Sequence, residues 1–256
     1  MSDLPTTESG LVGRVALVTG GSRGIGRAIV ERLAADGADV VFFYRGNAAA
    51  AAEVVGTVRG AGGKAEAMQV DVSDAAAVGL AVDSLIGSRG RIDVLVNNAG
   101  IVRDNLLALL GDDDIRAVLD TNVVGVFNVS RAVVPHMISR RAGRIVNLSS
   151  VAAAKGGRGQ SNYAASKGAI EAFTRAMAVE LASRGIAVNC VAPGVITTEM
   201  SEQVREAAGE QVKARILMRR FGQPQDVANA VWFLASRYAD YINGHVLNVD
   251  GGFKME

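Results

Sequence analysis

The chain has 256 residues, with 27 Lys and Arg against 26 Asp and Glu, a net charge of +1, and 49% hydrophobic residues. That length suits one large domain with an ample core, and the balanced charge excludes a general nucleic-acid binder, which needs a cationic excess to displace counterions from phosphate. The longest uncharged stretch, 185–198, contains Asn189 and Pro193 and falls short of the roughly 20 apolar residues of a membrane span.

Residues 1–13 are polar and aperiodic and are expected to form a mobile tail. They lack the basic-then-apolar order of a secretory leader. From Arg14 onward short β-branched runs recur at 15–18, 40–43, 67–70, 92–96, 145–148, 187–191 and 245–249. Segments of helical spacing separate them, for instance Ile25, Ile29 and Leu33, or Ile170, Phe173, Met177 and Leu181. Near-continuous apolar strands alternating with helices predict an α/β fold: a seven-stranded parallel sheet with helices on both faces, in a single doubly wound Rossmann-type domain over 14–256. The alternation breaks at 195–222, an amphipathic insertion after a strand's carboxyl end and before a helix near Pro224, which reads as a substrate lid. The single cysteine, Cys190, allows no internal disulfide and fits a cytoplasmic protein. It lies in an apolar strand, where packing is the natural role. His136 and His245 lack metal-ligand spacing, so no metal site is expected.

Glycine is unusually frequent, with 30 residues against 4 prolines, or about twice the average usage of roughly 7%. The first strand runs directly into Thr19-Gly-Gly-Ser-Arg-Gly-Ile-Gly26 and then a helix. Glycines there let backbone N–H groups face a diphosphate at a helix N-terminus, although the spacing differs from G-x-G-x-x-G and a tight turn is the plainer reading. The second strand ends Phe42-Phe43-Tyr44-Arg45 with no carboxylate to bond ribose hydroxyls, while Asp39 stands at its start. Arg23 and Arg45 could clamp a 2′-phosphate, which favours NADP(H) over NAD(H); for Arg45 the alternative is a solvated loop arginine. Asp71 precedes a helix, as an N-cap would. Tyr163 and Lys167, four apart on a helix, share one face. A neighbouring ammonium would lower the phenol's pKa from about 10 toward a working general acid.

Thr19-Gly-x-x-x-Gly-x-Gly26, Asn97-Asn-Ala-Gly100, Ser150, Tyr163-x-x-x-Lys167 and Pro193-Gly194 stand in the order and spacing of the short-chain dehydrogenase/reductase family, which the chain resembles from Arg14 to Phe253. Within it the chain is most similar to the 3-oxoacyl-[acyl-carrier-protein] reductases, through Ser22-Arg-Gly-Ile-Gly-Arg-Ala, Asn97-Asn-Ala-Gly-Ile-Val-Arg-Asp104 and Gly244-His-Val-Leu-Asn-Val-Asp-Gly-Gly252. The resemblance implies a catalytic set in which Tyr163 is the general acid and Ser150 polarises the substrate carbonyl. Lys167 binds the nicotinamide ribose, and Asn122 holds a water that links Lys167 to solvent. It implies cofactor contacts at Gly20, Ser22, Arg23, Gly24, Ile25, Gly26, Tyr44, Arg45, Asp71, Val72, Asn98, Ala99, Gly100, Pro193, Gly194, Ile196 and Thr198. It implies carrier-protein docking by Arg141 and Arg184, which also read as ordinary basic helix ends. It implies a homotetramer joined through 227–235 and 245–249. The expected reaction is NADPH-dependent reduction of a carrier-linked 3-oxoacyl thioester. A reductase of acetoacetyl-CoA, a sugar, a steroid or another small ketone is the second reading, and a non-catalytic cofactor-binding module the third.

Overall fold

The computed structural model describes residues 9–255, apart from the side chains of Gln203, Val204, Ala207 and Ala208. Seven strands, β1 (Val15–Thr19), β2 (Asp39–Tyr44), β3 (Lys64–Gln69), β4 (Val94–Asn97), β5 (Gly143–Leu148), β6 (Ile186–Pro193) and β7 (Val246–Val249), form one sheet in the order β3-β2-β1-β4-β5-β6-β7, every pair parallel. The helices between them are α1 (Gly24–Ala35), α2 (Ala48–Gly60), α3 (Ala75–Arg89), α4 (Asp112–Leu119), α5 (Gly125–Arg140), α6 (Ser161–Leu181), α7 (Glu202–Arg215) and α8 (Pro224–Ala235). Side chains alternate across the sheet, and both sets are apolar. Ala16, Val18, Val40 and Phe42 pack with Ile29, Leu33, Val54 and Val231 on one face. Leu17, Val41 and Phe43 pack with Val82, Val133 and Met137 on the other. Burial on both faces is why the strands read as unbroken apolar runs. The third strand starts earlier than its apolar run because β3 is the sheet edge, where Lys64 is exposed and Glu66 pairs with Arg89 at 2.5 Å.

Strand order reverses between β1 and β4, so the connections leave in opposite directions and open a crevice at the carboxyl ends. The glycine loop, Asn98–Gly100, Ser150 and Pro193–Gly194 all follow carboxyl ends and therefore meet there.

One expectation needs correction. Residues 1–8 lie outside the described residues, but Ser9 and Leu11 are packed rather than part of a tail: Leu11 is 1% exposed in the core, and Ser9 accepts from Arg237 N through its carbonyl at 3.0 Å. Leu11 gains more by burial beside α1 than it loses in chain entropy, which polar neighbours in sequence do not reveal. The helical run 112–140 is also, by length and composition alone, apolar enough to cross a bilayer. It opens with Asp112, Asp113 and Asp114, and it buries Val118, Val126, Val129, Val133 and Met137, so its apolar residues serve the core.

Candidate active site

The glycine loop is set by packing as much as by any ligand. Gly20 (φ +69°) and Gly24 (φ +54°) adopt left-handed backbone that other residues resist. Gly21 lets Phe42 pack, since a Cβ would lie 2.6 Å from it, and a Cβ on Gly26 would overlap the Gly20 carbonyl. Thr19 Oγ1 accepts from the N–H groups of Asn98 and Ala99 at 3.0 Å each. The Asn98 amide in turn donates to the carbonyls of Thr19 and Gly20 at 2.9 and 3.1 Å. Asn98 thus fixes the loop through its side-chain amide. Helix α1 starts on Arg23, which gives no side-chain cap, so its first-turn N–H groups stay open to an anion.

Around the expected adenosine end, Arg45 is 62% exposed and stands 4.0 Å from Asp71, while Arg23 pairs with Glu199 at 2.7 Å with both side chains mostly exposed. Desolvation raises the Asp71 pKa, but Ser73 hydrogen bonds and the Arg45 charge outweigh it and hold the carboxyl below its ordinary range. Asp39 bonds Arg89 at 3.1 Å at the opposite end of β2, far from the crevice. Val72 is buried against Gly125, and its carbonyl accepts from Asn128 at 3.0 Å. Tyr44 is partly buried and packs against the core, and its carbonyl accepts from Val70. Ser22 and Ile25 stand in the loop and first turn. Gly194 donates to the Val249 carbonyl and leaves no room for a Cβ beside Asp250. Ile196 is 4% exposed, and Thr198 faces Gly24 from the start of the lid.

Ser150 caps a single 3₁₀ turn, Val151–Ala153, its Oγ accepting from Ala152 N at 3.2 Å. The Tyr163 phenol, on the second residue after the start of α6, lies beside Ser150, whose hydroxyl favours the ionised phenol. Lys167 is 5% exposed, one turn along; its Nζ donates to the Leu148 carbonyl at 2.9 Å and stands 5.7 Å from the centre of the Tyr163 ring. Burial drives both groups toward neutrality. It pushes the phenol up to about 12 against the Ser150 hydroxyl, with the Asp104 charge adding to the rise. It pulls the ammonium down to about 8, with Cys190 opposing. The expected lowering of Tyr163 by Lys167 is therefore corrected: desolvation dominates, and the lysine points to a carbonyl rather than to the phenolic oxygen. Gly100 makes this crowding possible, since a Cβ there would sit 3.2 Å from Asn122 Oδ1 and 3.5 Å from Lys167 Nζ.

Asn122 is 1% exposed within a π-helical turn, Asp120–Val124, joining α4 to α5. Its Oδ1 accepts from Ile101 N at 2.8 Å, and its amide donates to the Ile101 carbonyl at 3.0 Å and to Ser166 Oγ at 3.1 Å. The Asn122 side chain thus clamps the loop after β4. Ser166 completes the clamp by donating to the Tyr163 carbonyl at 2.7 Å. Sequence reasoning did not select Ser166 or Asp104. Ser166 follows Tyr163 by three on the same helix, and Asp104 ends a motif already quoted, so position was the available signal. Asp104 accepts from Gln160 at 2.9 Å and so sits over the start of α6.

The lid closes at its base through an Ile196–Gly222 bridge and then runs as a short turn and α7. A cavity of about 570 Å³ lies behind it, walled by Val195, Ile196, Leu217, Met218 and Leu247. None of the Ser150, Tyr163 and Lys167 set lines it, so it is no substitute for the crevice. Arg141 and Arg184 lie together but not at this mouth. Arg141 caps the end of α5 at φ +51°, ahead of β5, and donates to the Ser183 carbonyl at 3.0 Å; Arg184 precedes β6. Six residues of β5 span about 20 Å, which separates both from Ser150 of the same chain.

A parallel doubly wound sheet with a glycine loop at its switch point, and a Ser–Tyr–Lys set beside it, defines the class of dinucleotide-dependent oxidoreductases. The family model described as enoyl-(acyl carrier protein) reductase matches residues 20–254. The chain belongs to this short-chain dehydrogenase/reductase family. It is 45% identical over 240 residues to the 3-oxoacyl-[acyl-carrier-protein] reductase FabG of Staphylococcus aureus (strain Mu50), covering 94% of this chain and 98% of that one. A short chain dehydrogenase from Burkholderia cenocepacia J2315, solved with NADP, superposes with a TM-score of 0.89 at 42% identity, covering 95% and 98% of the two chains. A gluconate 5-dehydrogenase of the same organism, with NADP and tartrate, gives 0.92 at 39%, covering 96% and 97%.

Proposed function

We propose that the protein is an NADPH-dependent 3-oxoacyl-[acyl-carrier-protein] reductase. The observation that carries the reading is Tyr163 beside Ser150 with buried Lys167 one turn on, set at the sheet's carboxyl ends next to the glycine loop. The residues fit NADPH: open N–H groups at α1, the narrow passage at Gly100, and Arg23 and Arg45 where an NAD-selective site would carry a carboxylate. When bound, NADPH supplies the hydride.

Ser150 holds the substrate carbonyl by hydrogen bonding, and Tyr163 donates its proton to the oxygen as negative charge develops there. Burial keeps the phenol protonated at neutral pH, the state from which a general acid must start. Lys167 supplies the ribose contact. We place the enzyme in fatty-acid synthesis, in the cytoplasm, as a homotetramer. Arg141 and Arg184, about 20 Å from their own Ser150, would receive an acidic carrier protein at a neighbouring protomer's site.

The two gluconate- and carrier-type relatives make a sugar acid the second reading. Comparing kcat/KM for acetoacetyl-carrier protein, acetoacetyl-CoA and 5-ketogluconate with NADPH tests both. The carrier substrate should lead, and Arg141→Glu with Arg184→Glu should cost it alone about tenfold or more. A preference for 5-ketogluconate refutes the acyl reading. Tight NADPH binding with no turnover of any of the three refutes both in favour of a binding module.

A further inference from the structure

The segment after β7 touches both rims of the crevice. Lys155, in the loop that follows Ser150, donates from Nζ to the Phe253 carbonyl at 2.9 Å and stands 4.7 Å from the centre of the Phe253 ring. Arg215, the last residue of α7 in the lid, stands 5.6 Å from the same ring. Cations at these distances from an aromatic ring are attracted by its quadrupole. Just upstream, the Gly251 carbonyl accepts from Met218 N at 3.0 Å, at the lid's exit. Left-handed backbone at Gly251 (φ +60°) and Gly252 (φ +85°) brings the chain against Ile216 and Leu217, with no room for a Cβ at either position. Asp250 holds this turn by accepting from Gly252 N at 3.0 Å and Lys254 N at 2.9 Å.

The loop 151–160 is tied on its other side by Asn105 N to the Gly159 carbonyl at 2.9 Å and by Gln160 to Asp104. It carries Ser150 at one end and leads into Tyr163 at the other, so its position sets the wall against which a substrate lies.

We infer that Phe253 is a positioning residue of the substrate site, holding the loop after Ser150 to the lid through Lys155 and Arg215. The inference rests on the reductase reading. Removing the ring takes away its contact with each rim and leaves only the Lys155 hydrogen bond to the main-chain carbonyl, weakening substrate capture while the Ser150, Tyr163 and Lys167 set stays in place.

Two measurements on the full-length protein test it. Amide hydrogen exchange needs no substrate: Phe253→Ala should speed exchange about tenfold in both 151–160 and 213–218. In steady-state reduction of acetoacetyl-CoA, Phe253→Ala should raise KM about tenfold with kcat within about twofold. Phe253→Tyr should restore KM. Lys155→Met, which removes the hydrogen bond to the Phe253 carbonyl as well as the ring contact, should reproduce the rise, and the double variant Lys155→Met, Phe253→Ala should raise KM by less than the product of the two single effects, because the Lys155–ring contact is common to both. Faster exchange confined to 250–255 overturns the inference, as does an unchanged KM, additive single effects, or a kcat loss that tracks a lower Tm. A wild-type protein that reduces no ketone refutes the reductase reading instead, and the exchange result then decides the link between the rims by itself.

Discussion

Replacing Lys167 by methionine removes the charged end of a side chain only 5% exposed while keeping most of its bulk. Burial pulls the Lys167 ammonium from its ordinary 10.5 down to about 8. At about 1.36 kcal/mol per pH unit, retaining that charge costs the native state about 3 kcal/mol below pH 8. Methionine in turn leaves the Leu148 carbonyl without the donor now at 2.9 Å, a loss of about 1 to 2 kcal/mol. The expected net effect at pH 7 is a stabilisation of about 1 to 2 kcal/mol, or a Tm rise of about 2 to 8 °C for a chain of this size. Between about pH 8 and 10.5 the native lysine has shed its proton while the unfolded one still holds it. The unfolded state then binds more protons, so wild-type stability climbs with pH relative to the variant. Above 10.5 the charge penalty is gone, and the lost hydrogen bond leaves the variant the less stable protein. Urea unfolding of both proteins at pH 7, 9 and 10.5 measures this. A variant destabilised at pH 7, or a difference that does not change with pH, would refute the reasoning.

Tyr163→Phe should keep the fold and NADPH affinity, measured by fluorescence titration, yet lower kcat for ketone reduction by about 10²- to 10⁴-fold. The pH profile of kcat/KM for reduction should be level below about 8 and fall above it as Lys167 loses its charge, with no step assignable to Tyr163 before about 12; a fall centred near pH 6 would contradict this. Arg45→Asp should raise KM for NADPH about tenfold or more and spare NADH, because a carboxylate repels a 2′-phosphate; equal effects on both cofactors would remove Arg45 from the phosphate site. Gly26→Ala should destabilise by about 2 to 4 kcal/mol in chemical denaturation, since its Cβ meets the Gly20 carbonyl of a tightly packed loop.

The parallel sheet was legible in the chain because its central strands are buried on both sides and so carry no polar alternation, whereas the edge strand β3 alternates. The site's location was legible too, since every quoted motif follows a strand and parallel strands end together. Less could be read of what each motif residue does. The side-chain amides of Asn98 and Asn122 bond Thr19, Gly20, Ile101 and Ser166, which become neighbours only after folding. Gly21 and Gly26 look like room for a diphosphate, and the structure uses both to clear Phe42 and the Gly20 carbonyl.

By itself the sequence determined the fold class, the order of the elements and the helical spacing of Tyr163 and Lys167, because these depend on local periodicity and on motifs a few residues long. Tertiary structure alone decided the protonation of that pair, the separation of Arg141 and Arg184 from Ser150, the burial of Leu11, and the meeting of Phe253 with Lys155 and Arg215. Desolvation and long-range contact arise only when distant segments exclude water from one another, and no local pattern in the chain encodes that.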